Sequence, residues 1–256
     1  MSLGIPKLIV GLLTIFKKTR LTELSQKAAS SAKKPEIFGI LSLKIVFINA
    51  LAKSTRKALE KLDSSLFFKI SGAYLAGGTA LALHLKHRYS EDLDFFTKKD
   101  FIEETTIQLI DKLGNFQLNR ADWKTILGKF EDTKFSLFYY KYPLIKKAGI
   151  FLTNTPVVSI EDIAAMKIAA IADRGTKRDF IDLFFLARIF TLKEILEFYD
   201  LKYKNLAANK THIFKSIIYF ADAQDDPMPR MIEKINWEEV ETFFEKEASR
   251  LAKDYF

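Results

Sequence analysis

The sequence has no cysteine. Disulfides and thiolate metal sites are therefore excluded, and a reducing, cytoplasmic setting is expected. Histidine is scarce, with three residues. His84 and His87 stand at a spacing that can serve zinc, but no third ligand is evident and hard acids stand nearby. No histidine metal site is expected. Long hydrophobic runs are also missing. The run Leu8 to Phe16 is shorter than the roughly 20 apolar residues that cross a bilayer. Lys17-Lys18-Thr19-Arg20 follows it with no Ala-x-Ala site, so neither a signal peptide nor a membrane span is expected. Internal repeats and low-complexity tracts are absent.

What is present suits a globular chain. Hydrophobic residues make up 48% of its 256 positions and 23 are Phe, enough for a sizeable core. The net charge of +8 is unevenly placed. Residues 1–65 hold 12 Lys/Arg against 4 Asp/Glu, and the remainder holds 28 of each sign. A basic N-terminal arm can attract nucleic acid by counterion release; a solvated helical surface reads equally well.

Three regions follow from the pattern: a basic helical extension over 1–65, a mixed α/β unit over 66–155, and a helical unit over 156–256. In the first, Leu41, Ile45, Ile48, Leu51 and Ala52 recur at helical spacing within Ile40 to Leu62. In the second, a helix over Ile102 to Leu113 ends at Gly114. Extended pieces follow at 116–119, 125–130, 134–140 and 150–152, with Glu131-Asp132 punctuating a hairpin. In the third, Ser159 with Asp162 caps a helix that stops at Gly175. Further helices are expected from about Asp179, after Thr191, over Thr211–Phe220 and over Trp237–Lys253.

The chemistry concentrates in two stretches. In YLAGGTALALHLKHRYSEDLDFF, residues 74–96, a strand runs into Gly77-Gly78-Thr79, then a helix, then a second strand. Glycines let backbone N–H groups approach a phosphate, a helix N-terminus favours anions, and Thr79 adds a hydroxyl. On the second strand Asp92 and Asp94 share one face and Leu93 and Phe95 the other. Paired carboxylates in front of such a turn suit Mg²⁺ or Mn²⁺ bridging to substrate phosphates. Arg88 contacts a phosphate or caps the preceding helix.

In the second stretch, residues 161–188, Lys167 lies in the apolar stripe of its helix, with Ile163, Ala164, Ala170 and Ile171 on its face. Asp182 likewise faces the side of Phe185 and Leu186. A buried lysine needs a partner or an anion. The break at Gly175 can fold the helices together and pair Lys167 with Asp182. That pair is either structural or lines a cleft opposite Asp92 and Asp94. Arg174, Lys177 and Arg178 cluster at the turn.

Together these stretches resemble the AbiEii/AbiGii toxin family of the polymerase-beta-like nucleotidyltransferases. The carrying residues are Gly77-Gly78-Thr79 with Leu81 and Leu83, His87-Arg88, Ser90, Asp92-Leu93-Asp94-Phe95-Phe96, Glu161 to Lys167, and Arg178 to Leu183. The likeness covers about residues 70–250. It implies an α/β (α+β) fold, a nucleotidyltransferase-like mixed sheet flanked by helices and followed by a helical C-terminal lobe. It implies Mg²⁺-dependent transfer of a nucleoside monophosphate from an NTP to RNA, such as tRNA, or to protein, by the toxin of a toxin–antitoxin or phage-defence pair. By that resemblance Gly77, Gly78, Thr79, Arg88 and Lys167 bind the nucleotide, Asp92 and Asp94 hold the metal, and Lys167 and Asp182 complete the catalytic set. Many such enzymes carry a third acid on a later strand. Here Ser136 stands at the plausible position, which favours one metal over two. A degenerate member that binds RNA or protein without turnover is the alternative, and phosphotransfer to a protein is a third reading.

Overall fold

The structure, a computed structural model, describes residues 47–204 and 210–255, residues 252–255 by their helical backbone. The expected first part of the Ile40–Leu62 helix and the chain before it lie outside the described residues. After a short 3-10 turn at Ile48–Ala50, α1 runs Lys53–Asp63 and α2 Phe67–Ser71. The central unit follows as β1 Tyr74–Leu75, α3 Gly77–Leu85, β2 Leu93–Thr97 and α4 Glu103–Leu113. Then come β3 Phe116–Asp122, β4 Thr125–Phe130, β5 Thr133–Tyr139, β6 Gly149–Phe151 and β7 Thr155–Val157. The C-terminal part holds α5 Ile160–Asp173, α6 Lys177–Ala187, α7 Leu192–Lys202, α8 Lys210–Ile217, α9 Ala221–Gln224 and α10 Trp237–Tyr255.

The strands form one mixed sheet in the order β3-β4-β5-β2-β1-β7-β6. β2 pairs parallel with β5 and β1 parallel with β7, and the other pairs are antiparallel. Alternation places Leu93 and Phe95 in the core and leaves Asp94 and Phe96 half-buried on the opposite face. The core face is rich in phenylalanine. Phe67 meets Phe95 at 5.6 Å and Phe135 at 6.0 Å, ring centre to ring centre, both edge-on. α1, α2 and α4 supply Leu59, Leu62, Phe67, Phe68 and Ile110 to that core. The described part of the basic N-terminal region, α1, thus packs into the same compact unit as the sheet. The β4–β5 hairpin turns through Glu131 and Asp132, both with positive φ (49° and 63°), as a two-residue turn matched to strand twist requires.

The helical part is capped as its sequence dictates. The Ser159 hydroxyl accepts from the Asp162 N–H, and Thr191 with Glu194 forms a complete capping box. Phe180 of α6 packs on Phe220, Trp237 and Phe244, which ties α6 to α10. Asp162 and Lys202 are both buried and paired at 2.7 Å, joining α5 to α7. Four elements differ from expectation. The helix expected over Ile40 to Leu62 begins, among the described residues, only at Lys53, after the 3-10 turn at Ile48–Ala50. α3 begins at Gly77 rather than Ala80, so the glycines form the first helical turn. α2 and β7 are elements of five and three residues with too little sequence to show a period. Among the described residues no helix is long and apolar enough to cross a membrane.

Candidate active site

Asp92 and Asp94 project from the start of β2, in the middle of the sheet, beside the N-terminus of α3. Gly77 has φ +64°, and a Cβ there would lie 3.2 Å from Asp94 Oδ2. The backbone favours glycine, and any other residue would also crowd the Asp94 carboxylate. No side chain caps α3, whose N-cap is Ala76. Its first-turn N–H groups are therefore uncapped by any side chain, the arrangement that draws anions. Burial pushes the Asp94 carboxyl above its ordinary range, and repulsion by Asp92 adds to this. A Ser136 hydrogen bond, with the charges of Lys134 and Lys167, opposes it only partly.

Behind the glycines lies a buried ionic network. Asp182 is fully buried and accepts from Arg88 Nε at 2.7 Å, Arg88 Nη2 at 2.8 Å and His87 Nε2 at 2.7 Å, and it forms an ion pair with Lys167 Nζ at 2.7 Å. Lys167 also donates to Asp179 at 2.8 Å, and Asp179 is held by Arg174 at 2.9 Å and the Thr176 hydroxyl at 2.6 Å. Burial raises the affinity of Asp182 for protons. The charges of Arg88 and Lys167 and the hydrogen bonds outweigh it and hold that carboxyl well below its usual range. Asp179 behaves in the same way, with Lys167 and Arg174 overcoming its burial. Burial lowers Lys167, but Asp179 and Asp182 more than compensate and hold it above its usual value. Both aspartates and the lysine therefore stay charged at neutral pH.

A cleft of about 410 Å³ opens beside Asp92, lined by Tyr89, Asp92, Arg178, Asp226, Met228 and Arg230 among others. That volume falls in the range of small-ligand sites. Arg178 reaches to 3.8 Å from Asp92 and stays more than half exposed. Arg230 lies over the Tyr89 ring at 4.2 Å. The loop that carries Arg230 is clamped to residues 87–89: Tyr89 N–H donates to Arg230, and Ile232 and Glu233 N–H donate to His87. Another cavity of about 410 Å³, between α8 and α10, is lined by Phe214, Ile218 and Ala248 and holds none of these residues.

A model of the family described as nucleotidyl transferase AbiEii toxin, type IV toxin–antitoxin system, matches residues 60–149 and 142–255. The chain belongs to the AbiEii family. It is, with that family, a nucleotidyltransferase. An uncharacterized protein of Aquifex aeolicus (strain VF5) is 39% identical over 208 residues, spanning 77% of this chain and 95% of its own length. Among solved structures, MenT4, a nucleotidyltransferase toxin from Mycobacterium tuberculosis H37Rv, is 16% identical with a TM-score of 0.52. That likeness covers 77% of this chain and 86% of the other, and it shows a shared fold.

Against this AbiEii frame the expected site residues fall into two groups. Asp92, Asp94, Gly77 and Gly78 come together at the end of α3. Thr79, Arg88, Lys167 and Asp182 lie just behind them and are buried. The Thr79 hydroxyl does not point to open space; it bonds Ser90 at 2.8 Å and the Asp92 carbonyl, and so ties α3 to the strand of acids. The Arg88 guanidinium grips Asp182 and donates to the Tyr89 carbonyl, and Arg88 also lines the cleft. Asp182 carries three hydrogen bonds and the Lys167 ion pair, and its proton affinity is depressed, which disfavours general-base chemistry there. Sequence reasoning did not single out Asp179, Tyr89, Arg230 or Lys134. Asp179 was legible in principle, three residues before Asp182 on the same helical face. Arg230 lies in an irregular loop, where no periodicity marks a partner.

Gly78 gives the first test of this packing. A Cβ at that position would stand 2.1 Å from Arg88 Nη2, which is pinned to Asp182. Gly78→Ala is expected to destabilise the protein by about 1–3 kcal/mol, as overpacking does. Urea unfolding of the two proteins measures this, and an unchanged midpoint would contradict the packing.

Proposed function

We propose that the chain transfers a nucleoside monophosphate from an NTP to an RNA acceptor, assisted by a divalent cation, as the toxin of a toxin–antitoxin pair. The observation that carries this reading is the convergence of an uncapped helix N-terminus, paired aspartates and a charged cleft at one point. The residues fit a cation. Two neighbouring carboxylates, one of them with its proton affinity raised by burial and by the other, are relieved by a positive ion. Asp92 and Asp94 would hold Mg²⁺ or Mn²⁺, which would neutralise charge on the phosphates.

The chain's own residues do the rest. The N–H groups at Gly77, Gly78 and Thr79 receive the phosphate tail, and Arg178 and Arg230 draw it into the cleft. Arg88, Lys167 and Asp182 act from behind; locked together, they set the position of α3 against β2 and add positive field. The attacking hydroxyl forms an O–P bond at the α-phosphorus. The bond to the β-phosphate oxygen breaks, and pyrophosphate leaves with its electron pair. The hydroxyl proton passes to water. Catalysis here rests on positioning and electrostatics.

Incubation with each α-labelled NTP, Mg²⁺ and total RNA tests this; label is expected in RNA and not in protein. Label in neither, with all four NTPs, would sink it. Ser136, which pairs across from Asp94 where a third acid would stand, favours a second reading, binding without turnover. Calorimetry with the four NTPs and Mg²⁺ separates the two, since the enzyme predicts an NTP site and the binding module none.

A further inference from the structure

The sheet face that carries Asp94 continues outward over β5 and β4. Cross-strand register places Asp94 beside Ser136 and Phe96 beside Phe138. On the next strand it places Leu127 beside Ser136, Thr125 beside Phe138, and Lys129 beside Lys134. Direct partners share a face. On this face Thr125, Leu127 and Phe138 are half-buried and Lys129 and Lys134 exposed, while Ile126, Phe130, Phe135 and Leu137 of the opposite face are buried.

Lys129 and Lys134 are the unusual feature. Like charges directly opposite on one face repel. Neither lysine has an ion-pair partner among the described residues. The arrangement becomes favourable when an anion bridges the two. The nearby Arg120 is already engaged by Asp122 at 2.7 Å. Beside the lysines, Phe138 lies against Phe96 at 5.2 Å with part of its ring open to solvent. Cations that track a backbone next to an accessible aromatic ring are the chemistry of single-strand recognition.

Topology says which substrate this is. β2 has β1 and the following α3 on one side and β5 on the other. The phosphate tail belongs to the α3 side. In-line displacement puts the attacking oxygen opposite the leaving pyrophosphate, and so on the β5 side. We propose that the open face of β4–β5 is the acceptor track, and that it takes a single-stranded polynucleotide end, with backbone phosphates on Lys129 and Lys134 and a base on Phe138. This rests on the transferase reading for its orientation, but the binding itself can be measured without turnover.

The test is fluorescence anisotropy of the full chain with a fluorescein-labelled single-stranded RNA of mixed sequence, across a salt series and without NTP. Lys129→Ala with Lys134→Ala is expected to weaken binding about 10-fold and to flatten the logarithmic salt slope by about 1.4, two phosphates at the single-strand value. The double arginine variant should restore both. Phe138→Leu should weaken binding about 5-fold or more with the salt slope kept, since it removes stacking and not charge. Unchanged affinity and slope in the lysine variant would overturn the track, as would transferred label that proteases release and ribonucleases do not. NTP binding by calorimetry on the same proteins reports separately on the transferase reading.

Discussion

Asp94→Asn is expected to lower NTP transfer about 10³-fold, the upper end for removing one preorganised electrostatic group, and at the same time to make the protein more stable. The two effects have one cause. In the folded chain the half-buried Asp94 carboxylate is partly desolvated and repelled by Asp92, so its proton affinity is raised. A carboxyl whose folded pKa lies above its unfolded value contributes stability below that unfolded value and loses it as pH rises through the folded one. At neutral pH the charged form is therefore a burden, and the neutral amide removes it. A gain of about 1 kcal/mol would raise Tm by about 2–4 °C in a chain of this size. The gap between variant and native protein should close as the pH falls toward the ordinary carboxylate value of 3.8. Mg²⁺ should stabilise the native protein and not the variant. Thermal unfolding at several pH values, with and without Mg²⁺, measures all of this. A variant less stable than the native protein at neutral pH would mean that Asp94 is a structural anchor and not a strained ligand.

Asp182→Ala should do the opposite. It leaves the Arg88 guanidinium and the Lys167 ammonium buried without their shared counter-charge, and Asp179 alone remains for the lysine. Breaking one side of a buried ionic network costs about 3–5 kcal/mol, which for this size corresponds to a Tm lower by about 6–20 °C. Asp182→Asn, which keeps an acceptor for Arg88, should fall between the two and stay foldable. Because the carboxyls of Asp179 and Asp182 are both depressed, their contribution is present above about 3.8 and is lost only as pH falls below it. Native protein and Asp182→Asn should therefore differ most at neutral pH and converge in acid. Equal stability of the native and alanine proteins at neutral pH would remove the network from any account of how the site is held.

The two variants separate two jobs within a few ångströms. On the proposed reading the acids of β2 hold the cation, and Asp94 carries a raised proton affinity. The acids of α6 are satisfied by buried donors and cations. Gly77 and Gly78 are the seam between them, with the position of one Cβ filled by Asp94 and of the other by Arg88. On the proposed reading, transfer at the acids depends on the packed ion network behind them, and the Gly78→Ala result bears on both.

Much of this was legible along the chain. Alternation alone placed Asp92 and Asp94 on one face, because a strand has only two faces. Helical spacing put Lys167 and Asp182 in apolar stripes, and a lysine in a stripe has to find an anion. The glycine break between them supplied the fold-back that brings them to 2.7 Å. Local rules of period, cap and turn also set most element boundaries within a few residues.

Tertiary structure decided what those rules do not reach. Which carboxylate Arg88 would grip, that Asp179 would share Lys167, and that Arg230 would come from a loop some 140 positions beyond Tyr89 to lie on its ring are all matters of long-range contact. Strand order did the same for the lysines: Lys129 and Lys134 are unremarkable in sequence and face each other only because the hairpin turns at Glu131-Asp132. Sequence period fixes the direction in which a side chain points relative to its own element. Only the packing of elements decides what it meets there, and that choice divided this chain's charges between a locked network and an open site.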